Sequence, residues 1–338
     1  MAREVTSVPS GPPGAAAAPA AAPARAAAFA LRATALLARR ALLLAVLLAV
    51  VFAGVELLPG DAALAVAGHG ESAAGLDRQR HLLGLDRPLP ERFLDWITSL
   101  PTGDLGTSAR GEPVTGLLSA SFPNTLVLSG TAFALTLLLS LTLGCRAAAR
   151  PGGPADRTIG VLATATLALP EFVVAVGLLL LLSLWTGWLP PTTLTGANGS
   201  PADWRMLVLP VLALTVPQAG WNTRLVRAAL ADQATAPHVE AAVLDGLSPH
   251  RVVLLHALPG ALPAIATGLA TSTGMLLGGA VVVETLFNYP GVGMVLAGAV
   301  ADRDTSVIAG VVACTAAAIT LVLFLADLVR DRTVGARP

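Results

Sequence analysis

Glu240-Ala241-Ala242-Val243-Leu244-Asp245-Gly246 is followed by nine residues and then by His256-Ala257-Leu258-Pro259, between two long apolar stretches. The spacing reads as helix, turn, helix. Ala241 and Ala242 are small enough to let another surface come close. Gly246 permits a positive-φ turn that a Cβ would disfavour. Pro249 suits the first turn of the next helix, and Leu258-Pro259 leads back into an apolar stretch. Such a segment is a short rigid lever rather than a floppy connector.

The surroundings of this lever are membrane-like. Of 338 residues, 54% are apolar and 12% charged, and mean hydropathy is +0.73. A soluble domain carries about 25% charged residues. Six stretches are long enough to cross about 30 Å of hydrocarbon. They are Ala41–Leu58, Asn124–Cys145, Ile159–Leu184, Met206–Val226, Leu262–Val283 and Ser306–Leu328. The fold class expected is therefore all-α, a polytopic bundle of six transmembrane helices. The first stretch reads as a retained helix; a cleaved signal ending near Ala65-Val66-Ala67 is the competing reading. Residues 1–30, rich in Ala and Pro, read as a disordered leader. Residues 31–332 form the permeating domain and 333–338 a tail.

Six crossings put both termini on one side. Placing them in the cytoplasm puts most of the 21 basic residues there, among them Arg39, Arg40, Arg146, Arg150, Arg224, Arg227 and Arg251. All 21 are Arg, and the positive-inside rule favours this orientation. It makes 59–123 an extracytoplasmic loop and 227–261 a cytoplasmic one. Within the outer loop, Pro90–Leu100 sets Phe93, Leu94, Ile97 and Leu100 on one face of an amphipathic helix, either at the membrane surface or packed in an external subdomain.

Chemistry within the chain is sparse. A P-loop needs Gly-Lys-Ser/Thr, and the sequence has no Lys. Net charge is zero, so there is no basic field for nucleic acid. The spans hold no His and no acidic pair, which leaves no metal cluster and no catalytic carboxylates. Cys145 and Cys314 read as small apolar residues. One deep acid remains, Glu171, beside Pro170. Glu171 could contact a substrate, or could be an acid holding the Pro170 bend. Pro170 and Pro217 could bend helices along a pathway or simply be tolerated in packing. An ion-coupled secondary transporter is the rival class, and it would need several embedded ionisable groups.

The 240–259 spacing resembles the coupling loop of ABC-importer permeases, matching at Glu240, Ala241, Ala242, Gly246, Leu258 and Pro259. The one departure is His256, where that pattern usually has an aliphatic residue. Further segments are similar to the dipeptide/oligopeptide/nickel branch: Leu57-Leu58-Pro59-Gly60-Asp61, Gly103-Asp104-Leu105-Gly106-Thr107-Ser108, and Glu284-Thr285-Leu286-Phe287 running on to Gly291-Val292-Gly293. The resemblance covers about residues 35–332. It implies a bacterial inner-membrane permease subunit that is not itself an enzyme and binds no cofactor. ATP would act through two cytoplasmic ATPase subunits. A second homologous permease, an extracytoplasmic substrate-binding protein and the lipid bilayer complete the implied partners. Peptides, or nickel and its chelates, are the implied cargo. Glu240, Ala241, Ala242, Asp245, Gly246, Leu258 and Pro259 become candidate ATPase-coupling residues, and Glu171 and Pro170 candidate pathway residues.

Overall fold

The computed structural model describes residues 22–57, 60–66 and 72–335. By contacts the chain separates after Leu43 into two units. The first contributes the beginning of α1 (Ala22–Glu56), and the second everything that follows. Residues 22–30 of the expected leader are helical. The Ala-rich composition there favours a helix. Residues 1–21 lie outside the described residues, as does Ala67 of the cleavage-like Ala65-Val66-Ala67.

Helices follow one another: α2 (Ala62–Val66), α3 (Ala73–Leu82), α4 (Leu89–Ser99), α5 (Val114–Ala148), α6 (Pro154–Leu167), α7 (Glu171–Leu178), α8 (Arg205–Gln233), α9 (Pro237–Leu244), α10 (Pro249–Arg251), α11 (Leu258–Leu286), α12 (Val292–Ala301) and α13 (Thr305–Gly335). Among the described residues the only extended pairings are isolated bridges, Thr107 with Pro113 and Thr195 with Pro201.

Four helical segments are long and apolar enough to cross a membrane: Thr34–Glu56, Val114–Ala148, Pro249–Leu286 and Thr305–Asp327. The expected single crossing Ile159–Leu184 is instead broken, with Pro154–Leu167 and Glu171–Trp185 meeting at 101°. Pro170 supplies the cause. It lacks an N–H and sterically bars a helical residue before it. The pair makes a fifth crossing if it counts as one. The expected Met206–Val226 crossing lies in α8, which is not apolar enough to join that group. Its polar side chains face protein: Thr215, Gln218, Asn222 and Thr223 are buried. A helix surrounded by other helices needs no lipid-compatible surface, so α8 can be long, central and polar together. Pro210 and Pro217 lie inside α8.

Close approach fixes α8. A Cβ on Gly144 of α5 would lie 2.6 Å from a Val226 methyl. A Cβ on Gly220 would run into Thr166 and, at 2.7 Å, the Ala163 carbonyl of α6. One on Gly268 of α11 would strike Leu225. Small residues at such positions let helices pack without a strong apolar drive between them.

Two elements depart from the expected boundaries. α5 begins at Val114, inside the expected 59–123 loop. α4 matches the expected amphipathic helix but packs into a core with Leu48, Phe52 and Leu105. Phe93 meets Phe52 edge-on at 5.6 Å, and the buried Trp96 donates from Nε1 to the Leu105 carbonyl at 3.0 Å. Leu94 is 58% exposed and is not part of the packed face.

The Glu284 segment forms an anchor between elements far apart in sequence. Glu284 is fully buried. Thr125 donates its hydroxyl to Oε1 at 2.7 Å, and the Gly293 amide donates to Oε2 at 2.6 Å. Thr125 in turn accepts from the Val292 amide at 2.9 Å. A Cβ at Gly291 or Gly293 would collide with this carboxyl group, which explains the Pro-Gly-Val-Gly sequence. Asn124 completes the anchor by donating to the Gly199 and Pro290 carbonyls.

These contacts predict that Gly220→Val destabilises the bundle by about 1–3 kcal/mol through overpacking, whereas Gly116→Ala, where no atom lies within 4 Å of a new Cβ, is silent. Melting followed by size-exclusion chromatography of detergent-solubilised protein checks this. Equal melting temperatures would mean that α6 and α8 are not in close contact.

Candidate functional site

The 240–259 segment builds its lever from local rules. Ala236 is extended, and Pro237 opens α9 at a position where a missing N–H costs nothing. Glu240 in the first turn complements the positive helix end. The helix stops in a Schellman turn. Leu247 N donates to the Ala242 carbonyl at 3.2 Å and Gly246 N to that of Val243 at 3.0 Å. The turn requires a left-handed residue, and Gly246 has φ +77°. The Ala242-to-Gly246 spacing is therefore the spacing of this turn.

Ser248 and Pro249 start the second arm, which runs through α10 and a π-helical stretch, Val252–Ala257, into α11. Pro259 follows two residues after that stretch ends at Ala257. A proline inside a helix removes one bond and crowds the preceding turn. The wider π winding is one way to accommodate such an interruption. His238 Nε2 lies 3.1 Å from the His256 carbonyl and ties the two arms together.

The two faces of α9 differ. Val239 and Ala242 are each 3% exposed and pack on Val252, Val253 and Ala257. Ala242 thus brings the two arms together and does not present a surface. Glu240, Ala241, Asp245 and Gly246 are exposed. Leu244 is 87% exposed, Val243 59% and Leu255 66%, an apolar knob that the sequence reading did not single out. Leu258 is half-buried and Pro259 exposed. Behind the lever lies a cavity of about 340 Å³ lined by Ala148, Leu230, Ala234, Val239, Leu247 and Val253 among others.

A second feature next to the lever was not legible in sequence. Arg227 of α8 grips Asp156 of α6 with two bonds, Nε to Oδ1 at 2.5 Å and a terminal nitrogen to Oδ2 at 2.9 Å. The Gly152 amide donates to the same carboxylate at 2.8 Å. Asp156 is buried, and its partner lies 71 positions away. Nothing in the spacing of the two residues announces the pair.

Glu171 opens α7 immediately after Pro170, whose backbone is extended. It is half-buried, and Gly279 of α11 sits against it: a Cβ there would lie 3.2 Å from Oε1. No side-chain bond or ion pair engages this carboxyl group among the described residues. The structure does not bring Glu171 and the lever together; they belong to different parts of the bundle.

The described residues form a multi-pass helical bundle with a projecting helix–turn–helix lever. Residues 140–334 match the family described as binding-protein-dependent transport system inner membrane component, and residues 29–142 its N-terminal companion. The glutathione transport system permease protein GsiC of Pectobacterium atrosepticum is 34% identical over 286 residues, covering 84% of this chain and 91% of that protein. A probable peptide ABC transporter permease of Sinorhizobium fredii, y4tP, is 31% identical over 280 residues, covering 82% and 90%. A solved inward-facing MetNI methionine ABC transporter shares the fold, with TM-score 0.52 over 64% of this chain and 96% of that one at 18% identity. The chain belongs to this family. It is a non-catalytic, multi-pass permease subunit of an ABC importer in the dipeptide/oligopeptide branch, and ATP is hydrolysed on separate subunits.

The Asp156–Arg227 grip yields a prediction. Its guanidinium is 43% exposed, so solvent screening limits its contribution to about 1–2 kcal/mol. Asp156→Asn should lower the melting temperature of the purified protein, and the exchanged pair Asp156→Arg with Arg227→Asp should recover part of the loss. Identical melting of Asp156→Asn and the parent would show that the pair is idle.

Proposed function

We propose that this chain forms one half of the pathway of a peptide importer and takes its power stroke through α9. The observation that carries the reading is the exposed Leu244 knob on a lever whose stop, Gly246, is fixed by a Schellman turn. Burying a Leu or Val side chain contributes about 1.5–3 kcal/mol, so Val243 and Leu244 suffice to anchor the lever in an apolar socket on an ATPase. Glu240, Ala241 and Asp245 rim the knob. Ala242, Leu258 and Pro259 act from within, holding the two arms and joining them to α11.

The partners proposed are a second homologous permease, two ATPase subunits and an extracytoplasmic binding protein. Peptide or peptide-like cargo is supported by the relatives, whose names carry peptide and glutathione and not nickel. Glu171, unpaired beside the 101° break, is proposed to face the pathway, with Pro170 setting the break. The orientation proposed has both termini and α9 in the cytoplasm. The Arg asymmetry supports it, and Trp185, Trp188 and Trp204 mark the level of a membrane interface. They are 82%, 72% and 71% exposed and lie near the end of α8 opposite α9, as an interfacial belt would.

Two experiments test this reading. With Cys145 and Cys314 replaced by Ala, an impermeant thiol reagent on intact cells should label Ser72→Cys and spare Ser248→Cys; the reverse pattern would overturn the orientation and the ATPase assignment together. Leu244→Asp and Gly246→Val should abolish uptake while the protein still inserts, with ATP hydrolysis lost or uncoupled. Leu94→Asp, a similarly exposed leucine away from the lever, should leave transport intact. Normal uptake by both lever variants would reduce the segment to a plain connector. At the pathway, Glu171→Gln should change uptake or cargo preference without affecting assembly, and unchanged transport removes Glu171 from that role.

A further inference from the structure

Four described helices end in the same turn with different residues at its left-handed position: α3 at Gly84, α9 at Gly246, α11 at Asn288 and α12 at Arg303. Arg303 has φ +52°. Arg303 N donates to the Val300 carbonyl at 3.3 Å, and Asp304 N to that of Ala299 at 2.8 Å, the same Schellman pattern. A Cβ at such a position is strained relative to glycine. Strain of this kind persists where the surroundings over-determine it. Here Asp304 accepts from the Ala109 and Val307 amides, and Asp302 pairs with Arg110 at 2.7 Å, pinning the turn on both sides.

The side chain placed by this turn lines a pocket of about 210 Å³, together with Glu56, Gly60, Asp61, Arg80 and Asp86. Each acid of the pocket has a hydrogen-bonding partner. Glu56 pairs with Arg92 at 3.2 Å. Asp61 pairs with Arg80 at 2.7 Å and accepts from the Leu64 amide. Burial opposes the charge on Asp61, but the Leu64 and Arg80 bonds outweigh it and hold its pKa below the usual carboxylate value. Asp86 lies 2.6 Å from His81 Nδ1, whose hydrogen bond likewise holds the Asp86 pKa down. Arg303 alone has no counter-ion among the described residues, and its Nε is buried without a hydrogen-bond partner. An unpaired guanidinium matches a carboxylate, which it binds with two parallel bonds.

We propose that this pocket receives an acidic side chain of the binding protein that delivers cargo to the outer face. The proposal rests on the importer reading and its orientation. Size decides between a side chain and the cargo itself: ligand pockets usually hold about 300–1,000 Å³, and this one holds about 210 Å³. Its walls come from the end of α1, the α2–α4 region and the α12–α13 turn, with nothing from α7, α8 or α11 around Glu171.

The test uses the complete importer in nanodiscs and proteoliposomes, with trialanine and its C-terminal amide as cargo. Arg303→Asn removes the guanidinium while keeping a residue that tolerates the left-handed turn; Arg303→Gly does the same with no strain at all. Both should raise the binding-protein concentration for half-maximal uptake by about tenfold, as loss of one charge-assisted contact predicts. Maximal uptake and basal ATP hydrolysis should stay unchanged, and docking should become less salt-sensitive. Arg303→Asp should be restored by an Asp-to-Arg or Glu-to-Arg change at one position of the binding protein. Unchanged docking in Arg303→Asn and Arg303→Gly overturns the proposal alone. So does unchanged docking accompanied by a loss of preference for trialanine over its amide, because the pocket would then take the cargo's carboxylate. If the parent complex takes up cargo with no binding protein present, the importer reading itself falls.

Discussion

The absence of a Cβ at Gly144, Gly220 and Gly268 fixes the position of α8, and the rest of the bundle is arranged around that helix. At these points α5, α6 and α11 come close enough to α8 that a methyl group would meet side chain or backbone. Interiors this tight transmit displacement and do not absorb it. Because α8 leads directly into α9, and Arg227 near its end grips Asp156 of α6, a push on the lever under the proposed coupling would reach several helices at once. The broken pair α6–α7 is among them, and its 101° corner carries Glu171. Lever and candidate pathway residue are thus separate sites joined by one stiff element.

The parts legible in sequence were those governed by local rules. Glycine at a left-handed position, proline at a helix start and an acid in a first turn each state a backbone geometry, so the lever could be read in detail from residues 236–249. The helical class followed from composition alone. What failed depended on who faces whom. α8 was placed as an ordinary span, although its Thr215, Gln218, Asn222 and Thr223 are buried against neighbouring helices. Ala242 looked like a docking surface because small residues serve both purposes, and burial shows which one applies. Leu94 was put on the packed face of α4, where the core instead takes Trp96. The Asp156–Arg227 grip joins residues 71 positions apart, and no periodicity encodes that.

Places where the local rules are broken have a different origin. Glu284 puts a carboxyl group inside a buried cluster, and only three donors close at hand on α5 and the start of α12 make that tolerable: Thr125 directly, Gly293 directly and Val292 through Thr125. Leaving buried donors unpaired would cost about 1–3 kcal/mol each, so the acid and the Pro-Gly-Val-Gly turn require one another. Arg303, like Asn288, stands where glycine usually ends such a turn; Asp304 and the Asp302–Arg110 pair hold its backbone, while its Nε is buried without a partner among the described residues.

A stiff spine still needs one compliant place if the lever is to move without unfolding. The segment between Ser248 and Pro259 has the properties required. Its helix is wound wide over Val252–Ala257, ending two residues before a proline that already lacks one backbone bond. Behind it lies the partly open cavity of about 340 Å³. A shift of α9 can therefore be taken up by rewinding this one stretch and filling that space, while the glycine contacts of α8 stay closed. Under the proposed coupling, a compliant join between lever and a close-packed bundle would let the same chain be rigid in transmission and mobile at its input.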